Sequence, residues 1–176
     1  QLKGRCKVVA IADLFQDKAQ EKKEKYGLDC DVVGDYKELL DRDDVNLVSI
    51  CLPPSMHCQA AVDFLEAEKH VLCEKPMAPS LEECDKMIAA SKKTGALLSI
   101  VAQNRFKPDI MRTRKLLESG ALGKLYFAQA NSFWWRGDNY YDLWWRGTWA
   151  KEGGGCTFIH AVHHIDLFLW LMGDVD

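Results

Sequence analysis

The stretch His70-Val71-Leu72-Cys73-Glu74-Lys75-Pro76 places a short apolar run directly before a charged pair and a proline. An apolar run of this length, bounded by turn residues or charges, is typical of a strand buried on both faces of a parallel sheet. Similar runs occupy residues 7–12, 31–33, 46–52 and 96–102. Segments with helical character lie between the runs, at residues 17–26, 36–42, 58–68 and 81–94. This alternation predicts an α/β fold with a doubly wound parallel sheet for residues 1–103.

Local signals support the boundaries of these helices. Gly27 and Gly95 stand where helices commonly end in a left-handed cap, because glycine adopts that conformation without steric cost. Ser80 and Glu83 have the spacing of a capping box. That spacing predicts the start of the helix over residues 81–94.

The sequence changes character after Asn104. Residues 108–119 favour a helix, and residues 125–130 form a candidate strand. Residues 132–149 then hold five of the six tryptophans. Three glycines at residues 153–155 open an apolar run, which predicts one helix ending at Gly173. We therefore predict a second domain over residues 104–176.

Composition excludes several classes of partner. The chain has 176 residues, with 23 Lys and Arg against 26 Asp and Glu, and this net charge of −3 favours neither nucleic acid nor an anionic membrane surface. No apolar run reaches the roughly 18 residues that a membrane helix needs. The seven cysteines show no Cys-x-x-Cys spacing, so we expect reduced thiols, a cytoplasmic protein and no metal site. The chain does not start with Met, and we expect it to begin part-way through a protein.

The Glu74-Lys75-Pro76 segment carries the sharpest chemical signal. It follows a buried strand at the edge of the sheet, where burying Lys75 without a partner would be costly. A lysine in this place can donate a hydrogen bond to a substrate hydroxyl and stabilise its alkoxide as a hydride leaves. The alternative is a surface lysine whose ammonium reaches solvent.

Two further segments follow predicted strands. Asp13 ends the first strand, where a dinucleotide-binding fold places the acid that binds the adenosine ribose hydroxyls; the alternative is a turn or helix cap. The segment Leu52-Pro53-Pro54-Ser55-Met56-His57 follows the third strand, and its prolines predict an extended loop at the carboxyl edge of the sheet. That loop is either part of a ligand site or a rigid turn.

A histidine cluster lies in the predicted last helix. His160, His163 and His164 are three and four residues apart, and Asp166 follows three residues after His163. On a helix this spacing places them near one another, and one such histidine can exchange protons near neutral pH. Histidines four apart with a carboxylate can also bind a metal, but adjacent histidines point about 100° apart on a helix, which argues against one.

Several motifs occur in an order and at spacings that together resemble the Gfo/Idh/MocA family of oxidoreductases, over essentially the whole chain. They are Ala10-Ile11-Ala12-Asp13, Leu52-Pro53-Pro54-Ser55-Met56-His57, Leu72-Cys73-Glu74-Lys75-Pro76, Arg105-Phe106-Lys107-Pro108, Gly120-Ala121-Leu122-Gly123-Lys124, and Trp145-Arg146-Gly147-Thr148-Trp149, which runs into the triple glycine and His163-His164-Ile165-Asp166.

The resemblance implies a Rossmann-like domain whose first strand and glycine loop are missing. It also implies the start of an α+β domain with an open, mostly antiparallel sheet. It further implies a nicotinamide cofactor, a sugar, cyclitol or related polyol substrate with a secondary alcohol, and a homodimer or homotetramer. Two other classes remain open: an NAD-dependent glycosidase of the same family type, and a non-catalytic dinucleotide-sensing relative.

The resemblance also assigns residues to roles. Lys75 matches the active-site lysine and His163 the catalytic histidine. NAD is expected rather than NADP, because the carboxylate of Asp13 would repel a 2′-phosphate. One position departs from the family: Ile159, four residues before His163, stands where many relatives carry an Asp and others an Asn. The remaining expected cofactor residues are Pro53, Pro54, His57, Glu74, Lys75 and Pro76, and the expected substrate residues are Lys75, Arg146, Trp149, His160, His163 and Asp166.

Overall fold

The computed structural model describes residues 4–173, and it places every strand of that range before residue 102. Strands β1 (Ala10–Ala12) and β2 (Asp31–Val33) pair in parallel as one sheet. Strands β3 (Leu47–Ile50), β4 (His70–Cys73) and β5 (Leu98–Ile100) form a second parallel sheet in the order β3-β4-β5. Each strand lies within a predicted run, which confirms the α/β prediction.

The helices of this half lie between the strands, as predicted. Helix α1 spans Gln16–Tyr26 and helix α3 spans Leu81–Thr94. Their caps Gly27 and Gly95 both adopt the left-handed conformation. At the start of α3, the hydroxyl of Ser80 accepts a hydrogen bond from the backbone N–H of Glu83, so the N-cap half of the predicted capping box is present. A single 3-10 turn, Tyr36–Leu39, replaces the predicted helix over residues 36–42.

Helix α2 (Pro54–Glu66) begins four residues earlier than the sequence predicted. Pro54 occupies the first turn, where proline is favoured because its missing N–H would have no helical partner. The predicted extended proline loop is therefore short, with Pro53 as the N-cap of α2. This helix starts at the carboxyl edge of the sheet, three residues after Cys51.

The hydrophobic core packs α2 and α3 against the sheet β3-β4-β5. Its fully buried side chains include Phe64 and Leu65 of α2, Val71 and Cys73 of β4, and Met87 of α3. Strand β4 lies in the middle of its sheet, with a strand paired at each edge, and its Val71 and Cys73 are fully buried. The segment after β4 is thereby anchored to the most buried part of the molecule.

Residues beyond 104 form helices joined by irregular segments. The helices are α4 (Pro108–Glu118), α5 (Trp149–Glu152), α6 (Cys156–Ile159) and α7 (Val162–Met172). The candidate strand at residues 125–130 is not formed within the described range, and Tyr126 and Phe127 are more than four-fifths exposed. A strand is defined by hydrogen bonds to a neighbour, and no described strand lies beside this segment.

The predicted single helix from residue 156 to residue 172 is broken. Helix α6 ends at Ile159, and α7 begins at Val162 after a turn at residues 160 and 161. The backbone N–H of His163 donates to the carbonyl of His160 at 3.4 Å and not to that of Ile159, which continuous α-helical pairing would require. Among the helices described, none combines the length and apolar character needed to cross a membrane.

Candidate active site

Lys75 joins the two halves of the chain at the carboxyl end of β4. Its side chain is half-buried, and Nζ donates a hydrogen bond to the backbone carbonyl of Ile159 at 3.0 Å, across 84 positions of sequence. The ammonium therefore does not extend freely into solvent, as the surface-lysine alternative would require. Pro76 after it is buried.

The helix break explains why the carbonyl of Ile159 is available. A carbonyl at the last position of a helix has no intrahelical partner and needs another donor. The break after α6 leaves the oxygen of Ile159 in this position, and Lys75 supplies the donor. The side chain of Ile159 is itself buried at 4% exposure. The backbone of Ile159 thus provides a polar contact that its apolar side chain cannot.

A cavity of about 260 Å³ surrounds the Lys75 side chain. It lies between the two loops at the carboxyl edge of the sheet and the tryptophan-rich segment. Several predicted cofactor and substrate residues meet here. The cavity is lined by Cys51, Leu52, Pro54, Glu74, Lys75, Pro76, Trp145, Arg146 and Ile159.

His163 lies in the first turn of α7 and is half-buried. Burial lowers its pKa below the ordinary value, and the positive charge of Lys75 lowers that pKa further. Burial also lowers the pKa of Lys75, with further lowering by Arg146 and Arg136 against the raising effect of Glu74. A lowered pKa keeps the imidazole of His163 neutral and able to accept a proton at neutral pH.

His160 is held by an aromatic neighbour. Its Nε2 lies 3.0 Å from the hydroxyl of Tyr140, and their ring centroids are 5.5 Å apart. Burial lowers the pKa of His160, and the charges of Arg136 and Lys75 lower it further. His160, a predicted substrate residue, therefore lies close enough to Lys75 to feel its charge. It stands in the turn between α6 and α7.

Arg146 is fixed by an acid that the sequence reasoning missed. Its Nη1 lies 3.0 Å from Oε1 of Glu152, whose other oxygen accepts from the backbone N–H of Gly147 at 2.7 Å. Glu152 is only 5% exposed. The Arg146 guanidinium carbon also lies 3.9 Å from the ring centroid of Trp145 and 4.5 Å from that of Tyr140. Arg146 is therefore held rigidly at the wall of the cavity.

His57 holds the two loops together and leaves no ring nitrogen for a cofactor. It is fully buried, with Nδ1 2.9 Å from the carbonyl of Pro76 and Nε2 2.8 Å from that of Leu52. The prediction that His57 contacts the cofactor is therefore corrected. Its side chain connects the loop after β3 to the loop after β4, because the start of α2 turns it inward.

Two predicted substrate residues, Asp166 and Trp149, do not line the cavity around Lys75. The carboxylate of Asp166 is engaged by Arg105, whose Nε lies 3.1 and 2.9 Å from its two oxygens and whose Nη2 also donates to it. Trp149 is 78% exposed and lines a separate, mostly apolar groove of about 490 Å³ that includes Cys156 and Phe158. Asp166 lies on α7 with His163, as the spacing predicts, and its charge acts on that histidine, but its carboxylate is paired with Arg105.

Asp13 lies at the end of β1, as predicted. Its Oδ1 accepts a hydrogen bond from the backbone N–H of Phe15 at 2.8 Å, so it does cap the turn into α1. The side chain is nevertheless exposed, which leaves its second oxygen accessible to a ligand. Ribose binding by Asp13 stays a prediction.

No site role was predicted from the sequence for Arg105 or Glu152, and Trp134 and Tyr140 entered the prediction only as members of the aromatic-rich segment. The rings of Trp134 and His163 lie 6.0 Å apart by their centroids, and those of Trp134 and His164 5.2 Å. Both Trp134 and Tyr140 belong to the aromatic-rich segment, whose density was the available signal. Glu152 and Arg105 look like ordinary surface charges in sequence, because their partners come from other turns and helices.

Comparison with known proteins gives the family. Residues 1–102 match the family model of the oxidoreductase family with an NAD-binding Rossmann fold, and residues 110–176 match the model of the GFO/IDH/MocA C-terminal domain. The chain belongs to the Gfo/Idh/MocA family. The amino-terminal domain is thus of the NAD-binding type, as expected. The choice of NAD over NADP stays a prediction, as does the expected homodimer or homotetramer.

Individual relatives agree with this assignment. The solved WlbA dehydrogenase from Bordetella pertussis, in complex with NADH and UDP-GlcNAcA, is 30% identical with a TM-score of 0.90, over 99% of this chain and 50% of that one. Levoglucosan dehydrogenase of Pseudarthrobacter phenanthrenivorans is 28% identical over 93% of this chain and 42% of its own length. Myo-inositol 2-dehydrogenase of Thermotoga maritima is 28% identical over 94% of this chain and 47% of its own length. The chain spans about half the length of the curated relatives it matches.

Proposed function

We propose that the protein transfers a hydride between NAD and a secondary alcohol or ketone of a sugar, cyclitol or related polyol. In the oxidative direction the alcohol carbon loses a hydride and its oxygen loses a proton. The relatives named above as levoglucosan and inositol dehydrogenases support this substrate class.

One observation carries the proposal. The Lys75 ammonium is fixed at the cavity by its 3.0 Å hydrogen bond to Ile159, close enough to the helix of His163 for its charge to lower that pKa. A donor thus lines the cavity, and a proton acceptor lies within reach of its charge. This is the pair that alcohol oxidation needs: a cation to stabilise the developing alkoxide and a neutral base to take the proton.

The two residues have separate roles. Lys75 retains two N–H groups besides the one it gives to Ile159, and one of these donates to the substrate oxygen. His163 accepts the hydroxyl proton, since its lowered pKa keeps it neutral at physiological pH. His160 and Arg146 contact other hydroxyls, with Tyr140 and Glu152 holding them in place.

The residues present fit a nicotinamide cofactor. NAD, when bound, supplies the hydride acceptor. The exposed carboxylate of Asp13 suits ribose hydroxyls, and the loop at Pro53 and Pro54 together with Glu74 and Pro76 lies at the sheet edge where open α/β folds bind ligands. His57 keeps these two loops at a fixed separation through its paired carbonyl contacts.

The test uses the complete protein with NAD and a panel of sugars and cyclitols, followed by NADH absorbance. We expect Lys75→Met and His163→Ala each to lower turnover by about 100-fold or more while NAD affinity changes little. Lys92→Met, at an exposed position of α3, is the matched control and should retain full turnover. Near-normal turnover of His163→Ala between pH 6 and 9 would remove His163 from this role.

A second measurement separates the proposal from the other two classes. Release of a free sugar from a glycoside without net NADH would identify a glycosidase that uses NAD transiently. Binding of NADH without turnover of any alcohol, ketone or glycoside would identify a dinucleotide-sensing protein. Either result contradicts the proposed dehydrogenase.

A further inference from the structure

The cavity region carries more positive than negative side chains. Lys75, Arg136 and Arg146 all influence the titration of His160, as does one acid, Glu152. Glu152 is already committed, because both of its oxygens are used by Arg146 and the backbone of Gly147. The pairing of Arg146 with Glu152 neutralises one cation, and Glu74 beside Lys75 offsets a second, which leaves the charge of Arg136.

Arg136, like Lys75, forms no ion pair among residues 4–173. No described carboxylate lies within 4.0 Å of its guanidinium, and its Nη1 donates only to the backbone carbonyl of Trp135, at 3.1 Å. Its guanidinium carbon instead lies 5.3 Å from the ring centroid of Trp134 and 5.1 Å from that of Tyr140. Aromatic faces hold a guanidinium in place while leaving its N–H edge free for a ligand.

The location of Arg136 relates it to the proposed chemistry. Trp134 also packs against His163, with 6.0 Å between ring centroids, and Tyr140 contacts His160 through its hydroxyl. The two aromatic rings that hold Arg136 thus also contact the histidines on the turn and first residues of α7. The charge of Arg136 reaches Lys75 as well, since it contributes to the lowered pKa of that lysine.

We infer that the substrate carries an anionic substituent, a carboxylate or a phosphate, and that Arg136 binds it. This inference rests on the proposed function, because it names a feature of the same polyol substrate. A planar guanidinium matches either group through two parallel hydrogen bonds. The anion also offsets the surplus positive charge beside Lys75 and the histidines.

The experiment compares substrates that share a ring and differ at one carbon. For the complete protein with NAD, kcat/KM is measured for glucose, glucuronate and glucose 6-phosphate, and for galactose, galacturonate and galactose 6-phosphate. We expect one anionic form to exceed its neutral counterpart by at least tenfold. Which of the two anions prevails identifies the substituent.

Variants connect the preference to Arg136. Arg136→Gln should reduce the ratio of anionic to neutral kcat/KM by at least tenfold, chiefly through KM, and Arg136→Lys should restore part of it. Arg112→Gln, at an exposed position of α4, is the matched control and should leave the ratio unchanged. Circular dichroism of each variant checks that the fold is retained.

The outcomes separate the two proposals. Equal kcat/KM for neutral and anionic forms, or an unchanged ratio in a folded Arg136→Gln variant, overturns the anion inference and leaves the dehydrogenase intact. Failure to reduce NAD with any of the six compounds counts against the proposed function itself, and the anion inference falls with it.

Discussion

The two halves of the described chain are held together by different forces. Among residues 4–173, every buried apolar residue except Ile159 lies between residues 19 and 96. In the second half, helices α4 and α7 contain no buried residue, and large aromatic side chains such as Phe133 and Trp135 are almost fully exposed. Hydrophobic burial therefore stabilises the first half within the described range, whereas the second contributes little to it.

A few specific contacts attach the second half to the first. They are the hydrogen bond from Lys75 to Ile159 and the close approach of Gly153 to Pro79. One contact is polar and the other steric, and the polar one belongs to the candidate site. The candidate site therefore lies where the well-packed sheet β3-β4-β5 meets a second half that is positioned by individual contacts. Substitutions can test this contrast directly.

The largest effect is expected from Phe64, which is 1% exposed in the core of the first half. Phe64→Ala should lower the free energy of unfolding by about 3–5 kcal/mol, because it leaves a cavity in a packed interior. Phe106→Ala is the matched control, since that ring is 75% exposed, and it should cost less than about 0.5 kcal/mol. Denaturant unfolding measures both. A Phe106→Ala cost as large as that of Phe64→Ala would contradict the contrast.

Gly153 tests the steric contact between the halves. Its φ is +77°, and a Cβ built there would lie 2.7 Å from Cβ and 3.0 Å from Cα of Pro79. Gly153→Ala should therefore destabilise the protein by about 1–3 kcal/mol. Gly155→Ala is the matched control, because a Cβ there meets nothing within 4 Å and its φ is negative. If thermal unfolding shows equal shifts for both variants, the close approach to Pro79 is not what matters.

The ion pair of Arg105 and Asp166 tests the attachment of α7. Both side chains are partly exposed, so Arg105→Gln should cost only about 1 kcal/mol. Hydrogen exchange should show faster exchange in α7 with no change in α2, because the pair holds the second half and not the core. Arg112→Gln should leave both helices unchanged. Faster exchange in α2 would mean that the two halves unfold as one unit.

The smallest effect is expected in the titration of His163. Burial and the charge of Lys75 lower its pKa, so its NMR titration midpoint should lie below the ordinary value of 6.5. If the neutral imidazole acts as the proposed base, kcat/KM should fall only as the pH drops through that lowered midpoint. Lys75→Met removes a positive charge and should raise the midpoint, whereas Lys92→Met should not move it. A midpoint at or above 6.5 in the unaltered protein would contradict this electrostatic account.

The first half was predictable because its signals are local. Each of the five strands lies within a predicted apolar run, and α3 has the predicted bounds, Leu81–Thr94. The start of α2 was missed because Pro53 and Pro54 suggest a loop, although a proline also fits the first turn of a helix. Lys75 was found because a charge beside a buried strand is conspicuous in any sequence.

The second half was less predictable because its conformation depends on contacts between distant residues. The break after Ile159 accompanies a hydrogen bond from Lys75, and nothing in the apolar run of residues 156–172 signals it. Asp166 was assigned to the substrate because its partner Arg105 lies 61 positions away in the sequence. A strand over residues 125–130 was expected from composition alone, but strands need partners that composition does not supply.

The hydrogen bond between Lys75 and Ile159 reduces the conformational entropy of the Lys75 side chain before any ligand binds. A lysine side chain has four rotatable bonds, and fixing them costs up to about 2 kcal/mol of conformational entropy. Because the freed carbonyl of Ile159 already orients Nζ at 3.0 Å, that cost is met during folding and not again when a substrate arrives. The interruption of the helix is thus a means of preorganisation: one backbone hydrogen bond is given up, and the Lys75 ammonium is held in place before any ligand binds.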